Sequence, residues 1–449
     1  MDRREFLKNI ALLSTGASLV GCVNTRSPLS TQPLQVDPAE EDVLATMFEQ
    51  LTNSGGAELE CLTCSPIGSK KRGRAELSEG EEYRTRIPKL DSSLSETLKQ
   101  RVKYWQLDLD DKPLPYWADN QNQPDYYFFS KHYSNEYEKF ELNNDVLKVL
   151  AERNSFAFAD VRDVRIIGLR GCELDDQSLM SDWQLSHRLR VVKPDHKNRR
   201  CLIGVWRPQS GEIRLFSAST VPQASNMFAS LASQGSTCSL LPTGLYRYRL
   251  GIHNAKRRPQ PGALRIDEKY VVLRTTTDLK YDVFSKHDYW TRGSYHNIHS
   301  ATNGVGAIKF DSSGCQVIRG SYNSARTLGT NEWAIFQKSA GLVSDDGTAF
   351  AAEKPGEGTY EYMLLTAAEA ALAYHSSSDF NETYYPLRHG SSGERVLKMR
   401  EFLYSNHPVV VGKKPPRPTD NFDWWTSFAV LQQHKISDAK EYISTIWNT

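Results

Sequence analysis

The sequence predicts a multidomain chain in which a β-rich middle domain sits between a mixed, irregular N-terminal region and a small three-helix C-terminal domain. Three observations carry that reading. Between Val164 and Arg319, short segments alternate apolar with polar residues or run briefly apolar, punctuated by Gly, Pro, Asp and Asn clusters, as closely spaced strands do. From Leu387 onward, apolar residues recur at i, i+3, i+4 and i+7, the period of a helix that buries one face. Finally, 449 residues exceed what one typical hydrophobic core holds.

The first 22 residues form a targeting segment. Arg3 and Arg4 precede Phe6, Leu7 and Lys8, and the apolar run Ile10 to Val20 is too short to span a bilayer. It closes on Leu19-Val20-Gly21-Cys22, which resembles the lipobox of bacterial lipoproteins. That resemblance implies twin-arginine export, lipidation at Cys22 and a membrane attachment through the N-terminal lipid; Val23 after the cysteine implies the outer membrane. Residues 23–38 are rich in Ser, Thr, Pro and Gln, a composition that cannot bury enough apolar surface to order itself, and read as a tether. Residues 39–150 form a region of unknown role, with one helical pattern from Pro38 to Leu51. Its aromatic pairs, such as Tyr104-Trp105 and Tyr126-Tyr127, fit either a small packed core or a carbohydrate-stacking surface.

Residues 151–375 supply the β-rich domain. Strand patterns run from Val164 to Arg170, Leu189 to Val192, Cys201 to Trp206, Glu212 to Ser217, Gly244 to Gly251, Tyr270 to Thr275 and Cys315 to Arg319. Helical character first returns near Glu332, a further strand is expected over Tyr360 to Leu365, and Ala367 to Tyr374 is an Ala-rich helix. Residues 385–449 supply the C-terminal helices, with Trp447 packing from the last.

Within the β-rich domain, His299 stands sixteen residues ahead of Cys315, which follows Ser312, Ser313 and Gly314. A thiolate, not a thiol, is the nucleophile, so a catalytic cysteine needs an imidazole to take its proton and small neighbours whose N–H groups can face an oxyanion. The two residues are expected at adjacent strand ends joined by a hairpin containing Asn303-Gly304. The stretch from Arg199 to Gly320 resembles the L,D-transpeptidase catalytic domain, whose signature is His, roughly fourteen to seventeen residues, then Ser/Thr-His-Gly-Cys. Leu241 to Tyr246 resembles its Thr-Pro-x-Gly-x-Tyr turn, Tyr295 to His299 its histidine strand, and Ser312 to Cys315 its nucleophile turn. The resemblance implies Cys315 as nucleophile, His299 as base, and Ser313 and Gly314 completing the catalytic set, with Gly314 a backbone oxyanion donor. His296, Ser312, Arg319, His253 and Tyr246 would bind substrate. Ser313 stands where the family has His, and Arg319 arrives two places late.

The C-terminal pattern is similar to the small peptidoglycan-binding domain. Gly390 and Gly393 form its Gly-x-x-Gly cap, and Asp423, Thr426, Ala429, Val430 and Gln433 match its second helix. Together these resemblances imply a cell-wall remodelling cysteine enzyme whose partners are peptidoglycan stem peptides, needing no metal and no cofactor. A non-catalytic peptidoglycan-binding lipoprotein is the alternative. A net charge of +1 with interspersed signs excludes the basic patch of a nucleic-acid protein. A metal peptidase built on His253, His296 and His299 is the other reading weighed, but His296 and His299, three apart on a strand, point to opposite faces. Of the seven cysteines, Cys61 and Cys64 have knuckle spacing without a second ligand pair, and Cys172, Cys201 and Cys238 allow one disulfide plus one thiol.

Overall fold

Eight strands close into a barrel: β1 (Arg165–Arg170), β2 (Cys201–Trp206), β3 (Ile213–Ser219), β4 (Gly244–His253), β5 (Gln260–Ile266), β6 (Ile298–Ser300), β7 (Gln316–Ile318) and β8 (Tyr360–Thr366). The computed structural model describes residues 137–430, apart from internal stretches of which the longest are 228–237, 302–311, 376–385 and 407–416. The export segment, Cys22, the tether, the Cys61–Cys64 pair, the aromatic pairs and Trp447 lie outside the described residues. Around the barrel the order is β7-β6-β5-β4-β8-β1-β2-β3, and β3 returns to β7 through Ser219 opposite Val317 and Ala218 opposite Ile318.

The strands form because both faces of the sheet are covered, so apolar residues are buried on alternate sides. Along β8 every residue from Tyr360 to Thr366 is buried. Tyr360, Tyr362 and Leu364 join one core with Ile166, Ile203, Phe216 and Tyr248, whereas Met363 and Leu365 join another with Ile167, Leu169 and Leu202. Helix α1 (Asn144–Arg153) covers the second face with Val146, Leu147 and Leu150; its N-terminus is capped by Asn143, whose side chain accepts from the Val146 N–H. Helix α2 (Asn331–Ser339) covers the first face with Trp333 and Phe336, and α3 (Ala367–His375) joins α1 on the second. Each large side chain so buried is worth about 1.5–3 kcal/mol.

Several sequence expectations need correction. The His299 and Cys315 segments are not the arms of a hairpin: β6 and β7 run parallel, with His299 opposite Val317, and parallel neighbours require a crossover rather than a tight turn. The boundary at residue 151 falls inside α1, which packs on the barrel together with the strand Lys139–Asn143. No disulfide joins the described cysteines: Cys172, Cys201, Cys238 and Cys315 are all buried thiols.

The C-terminal segment meets the barrel through a buried ion pair and backbone contacts. Arg388 Nη2 lies 2.9 Å from Glu369 Oε1 on α3, and Arg388 Nη1 donates to Thr243 Oγ1 ahead of β4. The Leu245 N–H donates to His389 O. Helix α4 (Glu394–Asn406) starts just after Gly393, and Asp423 caps a following helical stretch by accepting from the Thr426 N–H at 2.9 Å. Among the described residues no helix is long and apolar enough to cross a membrane.

Candidate active site

Three strands deliver His253, His299 and Cys315 to one place. His253 ends β4, His299 is the middle residue of β6, and Cys315 immediately precedes β7. Their side-chain ligand atoms all lie within 4.8 Å of one another. The two imidazoles stack with centroids 3.8 Å apart and planes 10° from parallel. All three residues are buried, at 5%, 2% and 2% exposure.

Each ring is held through a nitrogen. His299 Nδ1 lies 2.6 Å from Ser300 O; a carbonyl only accepts, so Nδ1 carries the proton and the neutral ring presents its lone pair at Nε2. His253 Nδ1 lies 3.0 Å from the Asn297 amide nitrogen. Burial, reinforced by the neighbouring His299 and Arg265, holds the His253 pKa well below its ordinary value, which favours the neutral ring. The Cys315 thiol donates to Tyr295 O at 3.0 Å. A thiolate has no proton to give and is repelled by that carbonyl, so ionisation frees the sulfur from Tyr295. Tyr295 itself has φ 60°, a conformation that costs a bulky residue of order 1–3 kcal/mol and must be held by its surroundings.

The turn before the cysteine is locked from within. Ser312 Oγ donates to Cys315 O at 2.7 Å and accepts from the Gly314 N–H at 3.0 Å. Ser312 O accepts from the Gln223 N–H, and Ser313 O from the Ser239 N–H. Gly314 has φ 143°, and a Cβ there would stand 2.6 Å from Ser239 O and 2.7 Å from His296 Nε2. Only glycine fits on both counts. Behind the turn, Gln316 Nε2 donates to Gly314 O, and Gln316 Oε1 accepts from the Tyr362 hydroxyl at 3.3 Å. Burial raises the Tyr362 pKa, keeping that phenol a donor. Its ring passes over Gly168 of β1, where a Cβ would fall 2.1 Å from the hydroxyl.

Not every residue singled out in the sequence joins the cluster. The Gly314 N–H is engaged by Ser312 Oγ, so in this conformation it is not turned to an oxyanion, and the Ser312 hydroxyl is spent inside the turn. His296 is engaged elsewhere: its Nδ1 lies 2.8 Å from the Tyr270 hydroxyl, its Nε2 edge abuts Gly314, and its carbonyl accepts from Tyr248. Ser313, two residues before Cys315, is 8% exposed. Arg319 pairs with Glu332 on α2 at 3.1 Å. Tyr246 donates to Pro242 O and stacks on His389 with centroids 4.7 Å apart, which places it at the C-terminal seam. Sequence reasoning missed Asn297, Gln316 and the Tyr295 carbonyl. Asn297 had a signal, since i and i+2 on a strand share a face and His299 is its i+2 neighbour; the Tyr295 carbonyl and the Gln316–Tyr362 contact join segments far apart in sequence and left none.

No protein-family model matches the chain, and no curated protein matches it.

Proposed function

We propose that this protein is an exported, lipid-anchored cysteine acyltransferase that acts on peptidoglycan stem peptides, with a divergent L,D-transpeptidase-like barrel and a C-terminal peptidoglycan-binding-like domain. The observation that carries the proposal is the junction of Cys315 with His299, whose ring is fixed by Ser300 in the tautomer able to accept a thiol proton. The Cys315 thiolate attacks the carbonyl that joins the third residue of the stem to terminal D-Ala. The C–N bond breaks, His299 returns the proton to the leaving amine, and a thioester remains on Cys315. A second stem's amine then forms a cross-link, or water forms a carboxypeptidase product. Neither step uses a metal or cofactor. Anchorage at Cys22 would hold the enzyme in the periplasm, at the outer membrane, facing the wall.

The test incubates purified wall fragments with wild type and with Cys315→Ala. Loss of terminal D-Ala, or new cross-links by mass, should occur with wild type alone. A second reading, a non-catalytic wall-binding lipoprotein, is favoured by one observation: Cys315 is 2% exposed, and reactive cysteines are usually more accessible. Fragments left unchanged by both proteins, yet retained by both in a pull-down, would decide for that reading.

A further inference from the structure

One base suffices for the chemistry proposed above, yet two imidazoles meet the thiol. His253 is carried there on a different strand, stacked on His299, and oriented through Nδ1 by Asn297. We infer that His253, His299 and Cys315 form a binding site for one borderline-soft divalent cation, Zn2+, whose occupancy reversibly blocks the Cys315 thiolate. The blocking rests on the reading of Cys315 as nucleophile; the binding site does not.

The donor set is that of zinc: two neutral imidazoles and one thiolate, leaving a fourth position for water. Binding displaces the thiol proton to solvent, and the new sulfur–metal bond takes up the electron pair that acyl transfer would use. Tetrahedral bonds of the usual lengths put neighbouring ligand atoms roughly 3.3–3.6 Å apart. The three atoms already lie within 4.8 Å of one another; an ion sits in the plane of each ring that binds it, so the stacked imidazoles splay apart as the ligands close in. Metal-bound histidines commonly donate their second N–H to a carbonyl or similar acceptor. His299 does so to Ser300 O. For His253 the partner is an amide, and turning the Asn297 amide by half a turn presents its oxygen to Nδ1–H and frees Nε2 for the ion. His296, held by Tyr270, takes no part.

The test uses the full chain under a phosphine reductant, in a Cys61→Ser/Cys64→Ser background so that this pair cannot contribute. Co2+ is the spectroscopic probe. The expected result is one Co2+ per chain with a thiolate-to-cobalt charge-transfer band, displaced by Zn2+ and not by Mg2+. The band should vanish in Cys315→Ala, and Co2+ affinity should fall at least about tenfold in both His253→Gln and Asn297→Leu. On the unmodified chain, Zn2+ should slow alkylation of Cys315, mapped by peptide mass, by about tenfold or more. No charge-transfer band, a band unchanged in His253→Gln, or an alkylation rate indifferent to Zn2+ would overturn the site. D-Ala release is assayed separately, in chelator and then with stoichiometric Zn2+. Release in chelator that Zn2+ leaves untouched would refute the block while keeping the enzyme; a cobalt band without any release would refute the enzyme while keeping the site.

Discussion

The two sides of the barrel are built differently. From β4 through β8, β1 and β2 to β3, long ladders hold the sheet: β1 pairs β2 over six residues, and β8 pairs β4 and β1 over five each. On the other side β5 meets β6 at one pair, β6 meets β7 at three, and β7 meets β3 at two. There, side chains take over what backbone ladders do elsewhere. Tyr248 donates to His296 O, Gln316 to Gly314 O, and Ser300 Oγ to Gln260 Oε1. The long side is held by continuous backbone ladders, while the short side holds the candidate chemistry. Short pairing leaves room for a turn, a strained Tyr295 and a thiol, at the cost of a register fixed by a few specific hydrogen bonds.

If that division is right, substitutions on the short side should remove function with little loss of stability, and those on the long side the reverse. The largest expected effect is on activity: Cys315→Ala abolishes D-Ala release, and His299→Ala lowers it by about 10²–10⁴-fold, with thermal midpoints close to wild type. Next, Arg388→Ala strands the Glu369 carboxylate in a buried seam and should cost about 3–5 kcal/mol in urea titration, with Cys315 alkylation unchanged below the transition. Replacing both partners by apolar residues should recover most of that loss. Gly168→Ala, which drives a methyl into the Tyr362 ring, should cost about 1–3 kcal/mol. Because Tyr362 reaches across to Gln316, it should also change Cys315 alkylation; an unchanged rate would show that the two sides are uncoupled.

The smallest effect concerns pH at the C-terminal seam. Burial works to raise the Glu268 pKa, but the charge and hydrogen bond of His389, with help from Arg247, outweigh it and leave the carboxyl lowered. A carboxyl lowered by folding contributes stability that is present above its unfolded pKa of about 4.3 and is lost as pH falls through the folded value. Stability should therefore decline on acidification below about pH 4, by less in Glu268→Gln than in wild type. Equal slopes would show that this pair is solvated in practice.

The same division explains what the sequence made legible. β2, β4 and β8 were readable because long apolar or alternating runs carry their own period, and the helix at Glu332 likewise. β5 begins Gln260-Pro261-Gly262, which reads as a turn, and becomes a strand only because β4 lies beside it. α1 carries its own N-cap at Asn143, but the aromatic-rich segment before it drew the boundary too late. The parallel sense of β6 and β7 is a tertiary fact with no local trace. In the site, Cys315 and His299 were legible as residue types that need a reason to be there, whereas His253 was named only as lining the cleft, since a lone histidine in a sheet reads first as a structural one. Ser312 was legible as a small turn residue, but not that its hydroxyl would occupy the Gly314 N–H. Arg319 and Tyr246 were named by position in a pattern, and packing assigns them to Glu332 and His389 instead.

Intact-mass spectrometry of the chelator-treated protein after mixing with a tetrapeptide stem fragment tests the central claim most directly. The account predicts a covalent adduct equal to the fragment less D-Ala, localised to Cys315, absent from Cys315→Ala and about 10²–10⁴-fold slower to form in His299→Ala. A protein that keeps its unmodified mass while the fragment stays whole, at every concentration and time, would contradict it.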